Sequence, residues 1–169
     1  GRGYNPEINF GINMNVSWKN LSLSMLWQGS ANFSMYQEHF LIQPFANNMS
    51  TYAYFMDRWR LSDLNDPNSE WIPGKYPATI NDGAPNNKML SSFWLQDASY
   101  LRLKSLNITY RFTAKAFSRI GVKDLAFTFS GYNLLTFTGM EYMDPEAPTG
   151  RLSYYPQQKT YNAGVSITF

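Results

Sequence analysis

Cysteine is absent from this chain of 169 residues, which removes both a disulfide framework and thiolate chemistry. Histidine occurs once, at His39, and reads as a loop residue rather than a catalytic imidazole. No Gly-x-Ser-x-Gly elbow or phosphate-binding loop is present. Charge is scarce, with Lys+Arg 14 and Asp+Glu 12, or 15% of residues, against about 25% in ordinary globular proteins. The net charge is +2, and no basic block or acidic tail suggests a nucleic-acid partner. No apolar run approaches the roughly 20 residues of a spanning helix. The opening Gly1-Arg2-Gly3-Tyr4-Asn5-Pro6 has no apolar h-region. An exported protein would need one, so the expectation is a removed signal or a piece of a longer chain.

Aromatic residues are abundant at 17% of the chain, and many fall where a soluble core has no use for them. The closing stretch shows the pattern most plainly. Tyr161, Ala163, Val165, Ile167 and Phe169 alternate with Asn162, Gly164, Ser166 and Thr168. A period of two marks a strand with one apolar and one polar face. A soluble β-sandwich and an outer-membrane barrel both make such strands.

Ile8 to Trp18 alternates more strongly. Ile8, Phe10, Ile12, Met14, Val16 and Trp18 share one face, and Asn9, Gly11, Asn13, Asn15 and Ser17 the other. Lys19-Asn20 forms a tight turn, after which Leu21, Leu23, Met25 and Trp27 resume the apolar face. A soluble sandwich shows Lys, Glu, Arg and Thr on its outer face. Here the polar face is small and uncharged, and Trp18 and Trp27 mark the strand ends as interfacial girdles do. The hairpin favours the barrel.

Residues 30–92 form a long excursion, read as a folded cap. Met49, Tyr52, Ala53, Met56 and Trp59 recur at helical spacing, which predicts an amphipathic helix over 48–60. Pro67, Pro73, Pro77 and Pro85 then break the chain. Phe93 to Phe112 reads as strand. Leu101 and Leu103 lie on the opposite parity to Leu106 and Ile108, so a β-bulge is expected near Lys104-Ser105. Ala114 to Ser118 reads as one helical turn. Leu125, Phe127 and Phe129 open a fourth long strand, and residues 138–158 form a second outer loop. The fold class is all-β, with five long antiparallel strands joined by alternating short and long links. A bacterial barrel closes with an even number of strands, from about eight upward. Five strands left open would have two bare edges, so the expectation is the carboxyl-terminal segment, residues 1–169, of a larger barrel.

Four blocks resemble a known family. Trp94 to Leu106, WLQDASYLRLKSL, closely resembles the DASYLRLKNL block of SusC/RagA-type TonB-dependent outer-membrane transporters. Tyr132 to Thr138 is similar to their NLLTFT block, Met143 to Gly150 to their DPEAPTG loop, and the last strand to their final strand. The resemblance runs from about Gly11 to Phe169 and is weakest in the cap. It implies a 22-stranded transmembrane barrel with an internal plug, a SusD-like surface lipoprotein as partner, and TonB-driven import of an oligosaccharide or peptide across the outer membrane of a Gram-negative bacterium. The plug and TonB box have no counterpart in this chain.

The loop aromatics Trp59, Trp71, Tyr76, Tyr142, Tyr154 and Tyr155 are the candidates for ligand contact, since a flat ring offers an apolar face to a sugar. Asn162, Gly164, Ile167 and Phe169 resemble the signal read by the outer-membrane insertion machinery, for which a free strand edge is a template. No catalytic residue, cofactor or metal is expected. The run from Asp63 to Glu70 offers oxygen ligands that hint at calcium, but Pro67 takes a ligand position. Glu141, Asp144 and Glu146 could supply an acid pair; Asp144 bonding its own turn before Pro145 is the plainer reading. The alternative function is a soluble β-rich carbohydrate-binding module.

Overall fold

The computed structural model describes residues 3–38, 41–46, 50–79, 85–113, 121–147 and 155–169. His39, Tyr154 and the turn expected at 114–118 lie outside the described residues. The chain divides into two compact units. One joins Arg2–Ser34, Asp97–Pro145 and Pro156–Phe169; the other is built on Met35–Gln96 with Glu146–Tyr155.

The first unit is a five-stranded antiparallel sheet. It contains β1 (Ile8–Trp18), β2 (Leu21–Ala31), β7 (Tyr100–Phe112), β8 (Asp124–Thr138) and β9 (Thr160–Thr168), in spatial order β1-β2-β7-β8-β9. Their lengths run from 9 to 15 residues, enough for the roughly 9–11 tilted residues that cross a bilayer. Lys19, in the left-handed region at φ 50°, turns β1 into β2.

The register sorts the side chains into two faces. One row runs Trp18, Leu21, Tyr110, Phe127, Val165 across all five strands. The next runs Val16, Leu23, Ile108, Phe129, Ala163. The opposite face reads Asn15, Ser24, Asn107, Ser130, Asn162 and then Ser17, Ser22, Thr109, Thr128, Gly164. Its hydroxyls and amides bond one another: Ser24 Oγ donates to Asn15 Oδ1 at 2.7 Å, and Ser30 Oγ to Asn9 Oδ1 at 2.7 Å.

The apolar face is not sealed. A sandwich would bury Ile12, Phe127 and Val165 against a second layer, yet they are 49%, 44% and 62% exposed. Aromatic rings edge this face at both ends. Tyr110 and Phe112 meet edge-on at 4.9 Å near the tight turn, and Trp27 stacks on Phe137 at 6.3 Å at the far end.

The bulge expected near Lys104-Ser105 is present. On β7 both Leu103 and Ser105 have partners in β2 and β8, while Lys104 is skipped. This extra residue resets the parity, so Leu101 and Leu103 rejoin the face of Leu106 and Ile108.

The second unit carries its own aromatic core. Phe55, Tyr76 and Trp94 are buried, with Tyr76 5.5 Å from Phe55 and 6.2 Å from Trp94 between ring centroids. The Trp94 indole N–H donates to the Asn87 carbonyl at 3.0 Å. Two short strands, β4 (Arg60–Leu61) and β5 (Trp71–Ile72), form a hairpin. The remaining short pair is β3 (Ser34–Tyr36) with β6 (Leu95–Asp97).

The structure corrects two sequence expectations. The helix over 48–60 is absent from the described residues 50–60, which hold one 3-10 turn, Ala53–Met56, and then β4. Consecutive rings decide this: Phe55 is buried and Tyr54 packs on Tyr76 at 4.9 Å, while the supposed stripe residues Met56 and Trp59 are exposed. No side chain caps the turn at Tyr52. The strand read from Phe93 to Phe112 is also broken. Ser92–Trp94 is a 3-10 turn, and Asp97 Oδ1 accepts the Ser99 N–H at 2.9 Å, which turns the chain before β7.

Gly29 sits opposite Phe10 and leaves room for its ring. An added Cβ would lie 2.3 Å from Phe10 Cζ and 2.8 Å from the Tyr100 carbonyl oxygen. Gly29→Val in the full-length protein should therefore lower stability by about 1–3 kcal/mol through overpacking. Phe10→Ala should rescue it only in part, because the backbone oxygen remains. Urea unfolding in lipid vesicles measures both.

Candidate functional site

The bulge at Lys104 places Arg102 on the polar face, directly across from Thr136. This guanidinium is 3% exposed. Its Nε donates to Thr136 Oγ1 at 2.9 Å, and its Nη2 donates to Asp144 Oδ1 at 2.7 Å. It also lies 5.8 Å from the centroid of the Tyr100 ring. Asp144 belongs to the loop between β8 and β9. Its second oxygen, Oδ2, accepts the Gln157 N–H at 3.2 Å, just before β9 begins. One carboxylate thus ties the loop to β7 and to its own returning stem. Asp144 reaches well beyond its own turn, further than the sequence reading placed it.

Two more contacts hold the stems. Thr138 Oγ1 donates to the Ser99 carbonyl at 3.0 Å and accepts the Met140 N–H at 3.1 Å. Asn133, with φ 53°, donates through Nδ2 to the Gln158 carbonyl at 3.1 Å. Beneath the loop lies an open cavity of about 410 Å³, lined by Arg102, Asn133, Thr136, Tyr142, Pro156 and Lys159 among others. A cavity in the other unit, beside Phe55 and Trp94, holds about 20 Å³, room for little more than one water.

The described candidate aromatics fall in both units: Trp59, Trp71, Tyr76 and Tyr155 in one, Tyr142 in the other. Trp59 and Trp71 are exposed, and Tyr155 is 85% exposed; none makes a ring contact among the described residues. Tyr76 is buried in the aromatic core. Tyr142 alone of the described candidates lines the cavity under the β8–β9 loop, and its φ is 65°. Arg102, Asn133, Thr136 and Lys159 were not among the sequence candidates. A lone arginine between Leu101 and Leu103 in a strand is the signal that could have singled out the first.

On β9, Asn162 and Gly164 lie on the polar face, Ile167 on the apolar face opposite Leu125, and Phe169 is exposed just past the strand. The Asp63–Glu70 run is a turn. Asp63 Oδ1 accepts the Asn65 N–H at 2.9 Å, and Asp66 Oδ1 accepts the Asn68 N–H at 2.9 Å. Elsewhere in this unit the Tyr36 hydroxyl donates to the Met89 carbonyl at 3.0 Å, and burial raises its pKa.

No protein-family model matches the chain. Across 97% of its length it is 27% identical to TonB-dependent receptor P26 of Formosa agariphila and 24% identical to TonB-dependent receptor P3 of the same organism. The chain is a relative of TonB-dependent receptors. It spans only 17% and 16% of those two proteins. The fold is that of a stretch of the RagAB peptide importer. Superposition on its open-open state gives a TM-score of 0.65 at 24% identity, and on its closed-closed state 0.69 at 22%. Each covers 99% of this chain and 18% of the other. Those relatives carry the names of receptors and of a peptide importer.

Removing one partner of a buried ion pair strands the other. Asp144→Ala in the full-length protein should cost about 3–5 kcal/mol, and Arg102→Met with Asp144→Leu together should cost less than Asp144→Ala alone. Urea unfolding in lipid vesicles ranks the variants.

Proposed function

We propose that this chain forms part of the barrel wall of a TonB-dependent importer in the outer membrane of a Gram-negative bacterium. The full barrel has about 22 strands of tilted β-structure around a plug that lies outside this chain. The cargo is a nutrient such as an oligosaccharide or a peptide. A SusD-like surface lipoprotein works with it, and TonB supplies the drive through the plug.

One observation carries this reading: an apolar face runs across five strands of spanning length and lies open to the surroundings, backed by a polar face of mostly small side chains whose charges are Arg102, Arg111 and Asp124. In water such a face is a cost; against acyl chains it is the stabilising side, and the polar face then lines the lumen. The outer strands β1 and β9 each pair on one side within the described sheet. In hydrocarbon such edges need further strands, which the longer relatives have the length to supply. During assembly the β9 edge, with Asn162, Gly164, Ile167 and Phe169, serves as the template for the insertion machinery. Exposed Trp59, Trp71 and Tyr155 and cavity-lining Tyr142 remain available for solute or partner contact.

The two faces make opposite predictions for a charge. In the full-length protein Val16→Arg, on the apolar face, should cost about 2–4 kcal/mol, whereas the neighbouring Asn15→Arg, on the polar face, should cost close to nothing. Folding equilibria in lipid vesicles read this directly. Equal costs for the two would end the membrane-wall reading.

A further inference from the structure

We propose that the cavity beneath the β8–β9 loop binds a carboxylate group of the imported solute, with the Lys159 ammonium as its ion-pairing group. The proposal rests on the importer reading above and gives its cargo a chemistry. At about 410 Å³ the cavity falls within the roughly 300–1,000 Å³ of small-molecule sites.

Its charges are unevenly committed. Asp144, the carboxylate in the described lining, is held by Arg102 and the Gln157 N–H. Thr136 and Thr138 are likewise engaged, by Arg102 and by the Ser99 carbonyl. Lys159 lines the same cavity, and among the described residues its ammonium has no ion-pair partner. Among the described lining residues, Arg102 and Lys159 against Asp144 leave one surplus positive charge. An incoming anion satisfies that charge, whereas a neutral solute leaves it unused. Met143, Pro145, Pro156 and the Tyr142 ring supply apolar walls for the rest of the solute.

Backbone geometry marks the same place independently. Asn133 at φ 53° and Tyr142 at φ 65° both line this cavity. Left-handed backbone at a residue as bulky as tyrosine is unfavourable, and such conformations gather at binding sites where the surroundings enforce them. Beside them lie the Asp144 bond to Gln157 and the Asn133 bond to Gln158.

The test uses the full-length receptor in detergent, with binding followed by saturation-transfer NMR. The probes are N-acetyl-trialanine and its carboxamide, and glucuronate and glucose. At least one carboxylate probe should bind about fivefold more tightly than its neutral counterpart, a difference of the size of one partly exposed ion pair. Lys159→Met should abolish that difference, and Lys123→Met, an exposed lysine outside the cavity lining, should preserve it. A preference confined to the peptide pair identifies a peptide carboxylate; one confined to the sugar pair identifies an acidic sugar. Neutral probes binding as well as anionic ones, no binding by any probe, or a preference that survives Lys159→Met would each overturn the proposal. Binding at equilibrium needs no TonB, so failure here is separable from failure of the membrane-wall reading, which the Val16 and Asn15 charges test.

Discussion

One extra residue keeps the two faces of the sheet apart. Lys104 has no partner in the registers of β7 with β2 and β8, and every side chain above it is reset by one position. Were Lys104 held in the regular pleat instead of bulging out of it, Leu101 and Leu103 would point to the polar side and Arg102 to the apolar side. An arginine facing hydrocarbon is among the costlier errors a barrel strand can make. On the polar side the same arginine becomes an asset, because a guanidinium held between Thr136 and Asp144 is a rigid anchor.

That anchor organises the chain after β8. The loop leading to β9 is held at both stems, through Asp144 and through Asn133. The cavity beneath it is therefore framed by strand residues and tethered turns, the kind of support that gives a binding site defined geometry. The second unit is independent in a different sense. Phe55, Tyr76 and Trp94 give it a core of rings. Its chain approaches itself closely at Gly74, where an added Cβ would fall 2.4 Å from the Arg58 carbonyl carbon. Backbone cannot yield there as a side-chain tip could, which makes this glycine a structural requirement of the second unit.

The strands and their faces were legible because period-two alternation over nine or more residues has few competing explanations. The bulge was legible for the same reason: parity broke between Leu103 and Leu106, and one inserted residue is the simplest repair. The cap was harder. Apolar residues at helical spacing from Tyr52 to Trp59 suggested a buried stripe, but Phe55, off that stripe, is the residue the core takes in. Helical periodicity fails as a guide when rings at consecutive positions pack to different sides. The cavity was least legible. Arg102, Thr136, Asp144 and Lys159 are far apart in sequence, and only strand register and a folded-back loop bring them together. Of the ring residues proposed for ligand contact, Tyr76 went into the core because its neighbours Tyr54, Phe55 and Trp94 made a better environment than solvent.

The pairing of Arg102 with Asp144 joins positions 42 residues apart, and it has a consequence for exchanging the loop between β8 and β9. A crossover that exchanges only the outer loop would part the two halves of a buried pair, stranding a cation in the wall of the recipient. Viable chimaeras must inherit the loop together with the strand that bears its anchor. A breakpoint ahead of β7 keeps the two halves of this pair together.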